Sequence, residues 1–380
     1  MSEFGDARAS ETGSSPVSSY ETTRPHREHR PTNVPQHALR LSVIVPVRNE
    51  ERDIAATLQM LLDQEFPRDR FEILVVDGMS SDGTVEIVRQ FIQRGEPIRL
   101  LDNPRIWSSA ARNIGATRAS GDVVLVIDGH CELPTRQHFT AVASAFQRSR
   151  ADVIGRPQPL TIRDPSDLQR AIALARASRL GHHPDSYIYS DRDRFVPAQS
   201  VGAAYRREVF QRVGMFDERF DACEDVDFNY RVDQLGLSCF LSADSKVYYA
   251  PRTTLAGLFR QLARYGRGRV RLARKHHGML SWKSLAPAAF VALVIVGLIV
   301  GFLHAVAWYA VAALLSVYLA AVLIESARIL RQQPDWRMGW WLPWVFATIH
   351  VSAGVGIWQE FLFGPRMTRW NGNPETESLA

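Results

Sequence analysis

The chain has 380 residues and only three cysteines, Cys131, Cys223 and Cys239. They show no paired metal-ligand spacing, and so few of them suit a reducing compartment rather than a disulfide scaffold. No apolar core of a secretory signal is present near the start. Met1 to about Arg40 is rich in Ser, Thr, Pro, Arg and His without apolar periodicity, the composition of a disordered tail. No Gly-x-Gly-x-x-Gly follows a strand-like segment, which argues against a dinucleotide. No nucleic-acid motif is recognised either, despite a net charge of +5 and a pI near 9.3. Charge itself is missing from Leu285 to Ile324, 40 consecutive positions. One helix needs about 20 apolar residues to cross a bilayer, so this stretch predicts two crossings with a tight turn near Gly301–His304.

What is present begins with apolar runs that stop at polar residues. Leu41–Val47 reads as a strand, with Asn49 as the cap of a helix that reaches about Asp63, and Glu50 and Glu51 in its positive first turn. Phe71–Val76 is a second strand ending at Asp77, followed by a turn and a helix over Thr84–Ile92. Ile98–Leu101 is a third strand, and Trp107–Ala119 a helix. The run Val123–Ile127 is the pattern of a strand buried on both faces, and it ends at Asp128-Gly129-His130. The alternating order predicts an α/β fold with a mostly parallel sheet and helices on both faces. Ligands of such sheets bind beyond the carboxyl ends of the strands. Asp128 and His130 are metal ligands by type at alternate positions, which points to a metal-bound, phosphorylated ligand; a polar turn after a core strand is the plainer alternative.

These residues carry a resemblance. Ser42-Val43-Ile44-Val45-Pro46-Val47-Arg48-Asn49-Glu50-Glu51 resembles the opening strand of family 2 inverting glycosyltransferases with the GT-A fold. Val75-Val76-Asp77-Gly78-Met79-Ser80-Ser81-Asp82-Gly83-Thr84 resembles their second motif, Asp128-Gly129-His130 stands at their Asp-x-Asp metal motif, and Glu224-Asp225 matches their Glu-Asp pair. The resemblance runs from about Leu41 to His277. It is nearest to succinoglycan-type enzymes of exopolysaccharide synthesis, which share the Asp-x-His variant and Arg264-Tyr-Gly-Arg267-Gly-Arg269. It implies donor contacts at Pro46, Val47, Arg48, Glu50, Asp77, Arg112 and Asp128, a divalent cation on Asp128 and His130, and a base at Asp225 beside Glu224. Gly78 stands where the family often has a second Asp. His130 replaces a carboxylate, which suits Mn²⁺ better than Mg²⁺. No Gln-x-x-Arg-Trp of processive synthases is present, so one sugar per binding event is expected.

The chemistry asks for a cation to neutralise a departing diphosphate and for a carboxylate to take a proton from an acceptor hydroxyl. Asp225 lies in Phe216–Asp227, a segment with six carboxylates; a solvated acidic helix start is the competing reading. Arg264, Arg267 and Arg269 are candidates to close over the diphosphate, or to meet anionic lipid. Val196–Arg207 reads as a strand and small-residue turn beside the donor sugar. His276 and His277 read as interfacial residues rather than ligands.

Residues 41–280 are thus expected to form the catalytic domain, 281–370 a membrane domain with two to three transmembrane helices, and 371–380 a tail. Gly339–Phe363 is a third apolar stretch, read as spanning, with Trp336, Trp340, Trp341 and Trp344 as an aromatic belt at its start. Arg260–Lys283 and Arg328–Arg337 flank the uncharged hairpin on one side. The positive-inside rule makes that side, and the catalytic domain, cytoplasmic. The expected enzyme sits in the cell inner or plasma membrane as a multi-pass protein. It takes a nucleotide-sugar donor and a lipid-linked saccharide acceptor, contacts membrane lipids, and binds no nucleic acid. The alternatives are transfer to polyprenyl phosphate itself, or a catalytically silent scaffold of a polysaccharide assembly complex.

Overall fold

The computed structural model describes residues 39–162, 164–182, 186–276, 279 and 282–365. The catalytic half alternates strand and helix as its sequence period dictates: β1 Leu41–Val47, α1 Ile54–Leu62, β2 Phe71–Asp77, α2 Thr84–Gln93, β3 Ile98–Asp102, α3 Ser108–Arg118 and β4 Val123–Val126. Then come β5 Cys131–Glu132, α4 His138–Ser149, β6 Val153–Gly155, α5 Asp167–Ala177, β7 Arg194–Phe195, β8 Gly202–Arg206, α6 Arg207–Val213, α7 Glu224–Gln234, β9 Cys239–Leu241 and β10 Tyr248–Tyr249. Four long helical segments or spans close the chain: α8 Leu255–Lys275, α9 Trp282–Gly301, α10 Ala305–Gln332 and α11 Trp336–Phe363.

The main sheet has the order β3-β2-β1-β4-β8-β6-β9-β7. β1 pairs in parallel with β2 and β4, β2 with β3, and β6 with β9; β8 runs antiparallel to both its neighbours and β7 to β9. The mostly parallel sheet is as expected, and β2 is buried along its whole length, as a strand covered on both faces must be. One face is covered by Ile54, Leu58 and Leu61 of α1, Val88 of α2, and Phe139 and Phe146 of α4. The other is covered by Ala111 of α3, Phe210 of α6, and Phe228 and Val232 of α7. β5 and β10 form a separate antiparallel ribbon.

A third core belongs to neither face. Ile172 of α5, Leu258 and Leu262 of α8, Val322 and Ile329 of α10, and Leu342, Phe346 and Ile349 of α11 pack together. The boundary expected near residue 280 is therefore bridged by packing: α8 and α11 lie against each other. Among the described residues, three helices are long and apolar enough to cross a membrane, Lys283–Gly301, Ala305–Gln332 and Trp336–Phe363, and the last is covered by protein over a much larger share than the other two.

Candidate active site

The site forms where β1, β2 and β4 end. Asp77 closes β2, and its carboxylate accepts the Ser80 amide at 3.0 Å and the Ser80 hydroxyl at 2.5 Å. Arg48 follows β1 on the surface, with Pro46 and Val47 still in the strand. Asn49 does not cap α1, because Glu50–Asp53 form an intervening turn and Asp53 takes the cap position. Instead Asn49 adopts φ 55°, a left-handed conformation asparagine tolerates, and its side chain accepts the Ser81 amide at 2.9 Å. Asn49 thus ties the first loop to the second. Gly78 has a steric reason: a Cβ there would sit 2.8 Å from the Ile106 carbonyl oxygen.

Asp128 and His130 stand beyond β4, about a quarter and under half exposed at 28% and 44% of their side-chain surfaces. Asp128 Oδ2 accepts the Tyr249 hydroxyl at 2.7 Å, and Tyr249 in turn accepts Arg156 at 3.3 Å. Arg156 is anchored on the Val126 carbonyl at 2.8 Å. Burial alone would raise the Asp128 carboxyl, but Arg112, His130 and the Tyr249 hydrogen bond outweigh it and hold it below the ordinary range. His130 Nδ1 meets Glu50 Oε1 at 2.9 Å, and that hydrogen bond raises the imidazole above its ordinary value.

Among the described residues, no three His, Cys, Asp or Glu side chains form a self-sufficient metal cage. The pair nevertheless fits a divalent cation that draws its other ligands from a diphosphate and water. Asp128 supplies a hard oxygen, and Glu50 holds the imidazole by one nitrogen and leaves Nε2 for an ion, the arrangement common behind metal-bound histidines.

The second half of the site comes from α7. Its first residue follows Cys223, a non-glycine at φ 68°, so the chain turns sharply before Glu224. Glu224 is buried, and its Oε1 lies 3.2 Å from Arg112 NH1. The same guanidinium reaches Asp128 at 3.9 Å and packs over the Phe216 ring at 5.6 Å. Arg112 therefore joins the two acidic motifs, which are 96 residues apart in sequence (Asp128 and Glu224). Its Nε is buried without a hydrogen-bond partner. Burial raises the Glu224 carboxyl, and Asp225 adds to that rise against the opposing pull of Arg112. Asp225 is exposed in the first turn.

The arginines of α8 divide. Gly268 lets the helix backbone approach the Cys223 side chain and the Ala222 carbonyl, where a Cβ would collide. Asp225 and Arg264 both lie close enough to Tyr265 to act on its hydroxyl, and Arg269 acts in the same way on the Cys223 thiol. Arg267 instead pairs with Asp221 at 3.7 Å and reaches Gln359. His276 is not interfacial: it is buried, with Nε2 2.7 Å from Asp227 Oδ1, beside Arg231 and Lys275, which pair with the same carboxylate. His277 lies outside the described residues. The three cysteines are free thiols, and burial pushes Cys131 and Cys223 up to about 12. Tyr249 and Arg156 escaped the sequence analysis; a lone arginine after a three-residue strand and a tyrosine in a two-residue strand carry no local pattern.

Residues 42–214 match the model of "Glycosyl transferase family 2". They are a family 2 glycosyltransferase domain. The enzyme is 28% identical over 322 residues to the succinoglycan biosynthesis protein ExoA of Rhizobium meliloti (strain 1021), covering 84% of this chain and 94% of that protein. It is 22% identical over 298 residues to a dolichyl N-acetyl-alpha-D-glucosaminyl phosphate 3-beta-D-2,3-diacetamido-2,3-dideoxy-beta-D-glucuronosyltransferase of Methanococcus voltae, covering 76% of this chain and 87% of the relative. Among solved structures, the mannosyltransferase PcManGT from Pyrobaculum calidifontis, in complex with GDP-Man and Mn²⁺, superposes with a TM-score of 0.53 at 21% identity over 86% of this chain and 88% of that one. The glycosyltransferase has the GT-A fold.

Proposed function

We propose that the enzyme is an inverting, non-processive glycosyltransferase of the cell inner or plasma membrane. It moves a sugar from a nucleotide-sugar donor on the cytoplasmic side to a lipid-linked saccharide acceptor, in extracellular polysaccharide or glycan synthesis. The observation that carries this reading is the Arg112 bridge between Asp128 and Glu224. It ties the metal-type motif and the acid pair to one guanidinium, which supports reading them as the donor and acceptor ends of one reaction.

In this reading Asp77 and the first loop hold the nucleoside, and Asp128 with His130 would hold a divalent cation, Mn²⁺ or Mg²⁺, which supplies neutralisation of the leaving diphosphate. Arg112 adds a fixed positive charge beside Asp128. Glu224 is occupied by Arg112, which leaves Asp225 as the open carboxylate to accept the proton of the attacking hydroxyl. Attack from the face opposite the diphosphate inverts the anomeric centre. The apolar hairpin of α9 and α10 keeps the site at a bilayer, and the relatives named for succinoglycan and for dolichyl-phosphate-linked sugars support an acceptor held there.

The test is a nucleotide-sugar donor screen on membranes that contain the full chain, with analysis of the lipid fraction. Labelled sugar should enter a glycolipid that already carries a saccharide, and transfer should stop with excess chelator and return with Mn²⁺. Full activity in chelator would remove the cation. A product with its first sugar directly on polyprenyl phosphate would move the acceptor one step earlier.

A further inference from the structure

Length and composition allow α11 to span the membrane, but its partners point elsewhere. We infer that α11 lies along the cytoplasmic membrane interface, as a platform between the catalytic domain and the lipid, and that only α9 and α10 cross. This inference does not depend on which sugar or acceptor is used.

The first observation is that both ends of α11 are held by the catalytic half. At its start, Asp335 Oδ2 lies 3.1 Å from Arg170 of α5. Near its end, the buried Glu360 pairs with Arg271 of α8 at 3.0 Å, and Arg271 continues to Asp221, just ahead of α7, at 2.6 Å. Between these ends, Leu342 and Phe346 pack on Ile172 of α5, and Gly356 lets α11 approach the Ala263 backbone of α8. Asp335 to Glu360 spans roughly 38 Å at about 1.5 Å per residue. A crossing helix would separate those ends by the hydrocarbon thickness of about 30 Å. It would then drag α5, or α8 with its row of arginines, into the lipid.

The second observation is where α11 meets the hairpin. Trp358 Nε1 donates to the Ala288 carbonyl at 2.8 Å, and Gly354 packs on Pro287. His350 Nδ1 meets the Tyr318 hydroxyl at 2.9 Å, and Gly339 faces Leu330. These contacts fall near the start of α9 and from the middle of α10 toward its carboxyl end. The opposite end of the hairpin packs on itself, Gly297 against Val311 and Gly301 against Trp308. A third parallel span would have continued along that end.

The third observation names the partner. Trp336, Trp340 and Trp344, spaced by one helical turn, are 80%, 71% and 56% exposed. Tryptophan at that spacing on one face, opposite a protein-covered face, suits the headgroup–acyl boundary. The stripe begins four residues after the apolar hairpin ends at Gln332, which makes lipid its occupant.

Two measurements on the full chain test this. Single cysteines are introduced as Ser10→Cys, Leu303→Cys and Ser378→Cys and treated in intact cells with an impermeant thiol reagent, against the parent protein as background. Ser10→Cys and Ser378→Cys should behave alike and Leu303→Cys oppositely; Ser378→Cys grouping with Leu303→Cys overturns the inference. Spin labels at Trp340→Cys, Val351→Cys and Val355→Cys in lipid nanodiscs should all report depths on the cytoplasmic side of the bilayer midplane. A steady drift near 1.5 Å per residue, or spin–spin broadening from a second copy with no lipid contact, overturns it.

Discussion

Helix α7 carries two charged faces of similar composition and opposite character. On one, Asp227 accepts Arg231 at 2.9 Å, Lys275 at 3.0 Å and His276 at 2.7 Å, and Lys275 also reaches Asp217 at 2.8 Å. Arg231 spends its remaining donors on the Val213 and Met215 carbonyls at 2.8 and 2.7 Å. Asp227, Arg231, Lys275 and His276 are all buried. The other lies at the helix start, two and three residues before Asp227: Glu224 shares Arg112 with Asp128, the Arg112 Nε has no partner, and Asp225 stands in solvent. The first face is complete and can only hold α7 to the end of α8. The second keeps unspent hydrogen-bonding capacity, which a substrate can use. Buried charge is tolerated where every lone pair is matched, and breaking one member exposes the rest to the full desolvation cost. A reacting site needs the opposite, groups whose partners arrive with the ligand.

The largest expected effect breaks the open face. Asp225→Asn keeps shape and removes the proton acceptor, and turnover should fall roughly 10²–10⁴-fold with donor affinity and thermal stability nearly unchanged. If Asp225→Asn transfers at the native rate while Glu224→Gln is inactive, the roles within the pair are exchanged.

The closed face should answer in stability instead. Asp227→Asn leaves Lys275 and Arg231 buried with less countercharge and should cost about 3–5 kcal/mol, read by thermal or denaturant unfolding in detergent. An unchanged melting temperature would erase the distinction between the faces. The same residue sets a pH dependence. Burial alone would raise the Asp227 carboxyl, but Arg231, the His276 hydrogen bond and Lys275 outweigh it and hold it well below the usual carboxylate range. A depressed carboxyl contributes stability that is fully present above its unfolded value, about 3.9, and lost as pH falls toward the folded one. The parent protein should therefore lose stability progressively below about pH 5, and Asp227→Asn should lack that part of the slope.

Much of the open face was legible because it lies where apolar runs stop. Val47, Asp77 and Asp128 mark strand ends by a change of residue type, and strands buried on both faces leave little choice of register. Leu41–Val47 is the strand the sequence predicts, residue for residue. The closed face was less legible. Asp227 and Arg231 are one helical turn apart, a spacing that fits an exposed pair equally well; Lys275 and His276, more than forty residues later, complete the buried cluster. The same limit applies to α11: its length and apolarity match a span, whereas its salt bridges to Arg170 and Arg271, on which the interfacial proposal rests, come from residues far away in sequence. Asn49 shows the local version, where a capping residue type lost its helix to an extra turn.

The smallest expected effect lies between the two faces in kind. Tyr249 is a framework residue by burial chemistry, since its hydroxyl is held by Arg156, yet it ends on the open face at Asp128. Tyr249→Phe removes the hydrogen bond to the partly exposed Asp128 carboxylate, together with the longer 3.3 Å one from Arg156, and leaves the ribbon of β5 and β10 in place. A net loss of about 1 kcal/mol is usual for one such bond, and 1.4 kcal/mol is tenfold in an equilibrium. The half-saturating Mn²⁺ concentration for transfer, and direct Mn²⁺ binding followed by electron paramagnetic resonance, should both rise about five-fold, with the melting temperature nearly constant. A lower melting temperature with unchanged Mn²⁺ binding would place Tyr249 wholly with the framework. A shift in Mn²⁺ binding alone would show that the boundary between the faces runs through this one hydroxyl.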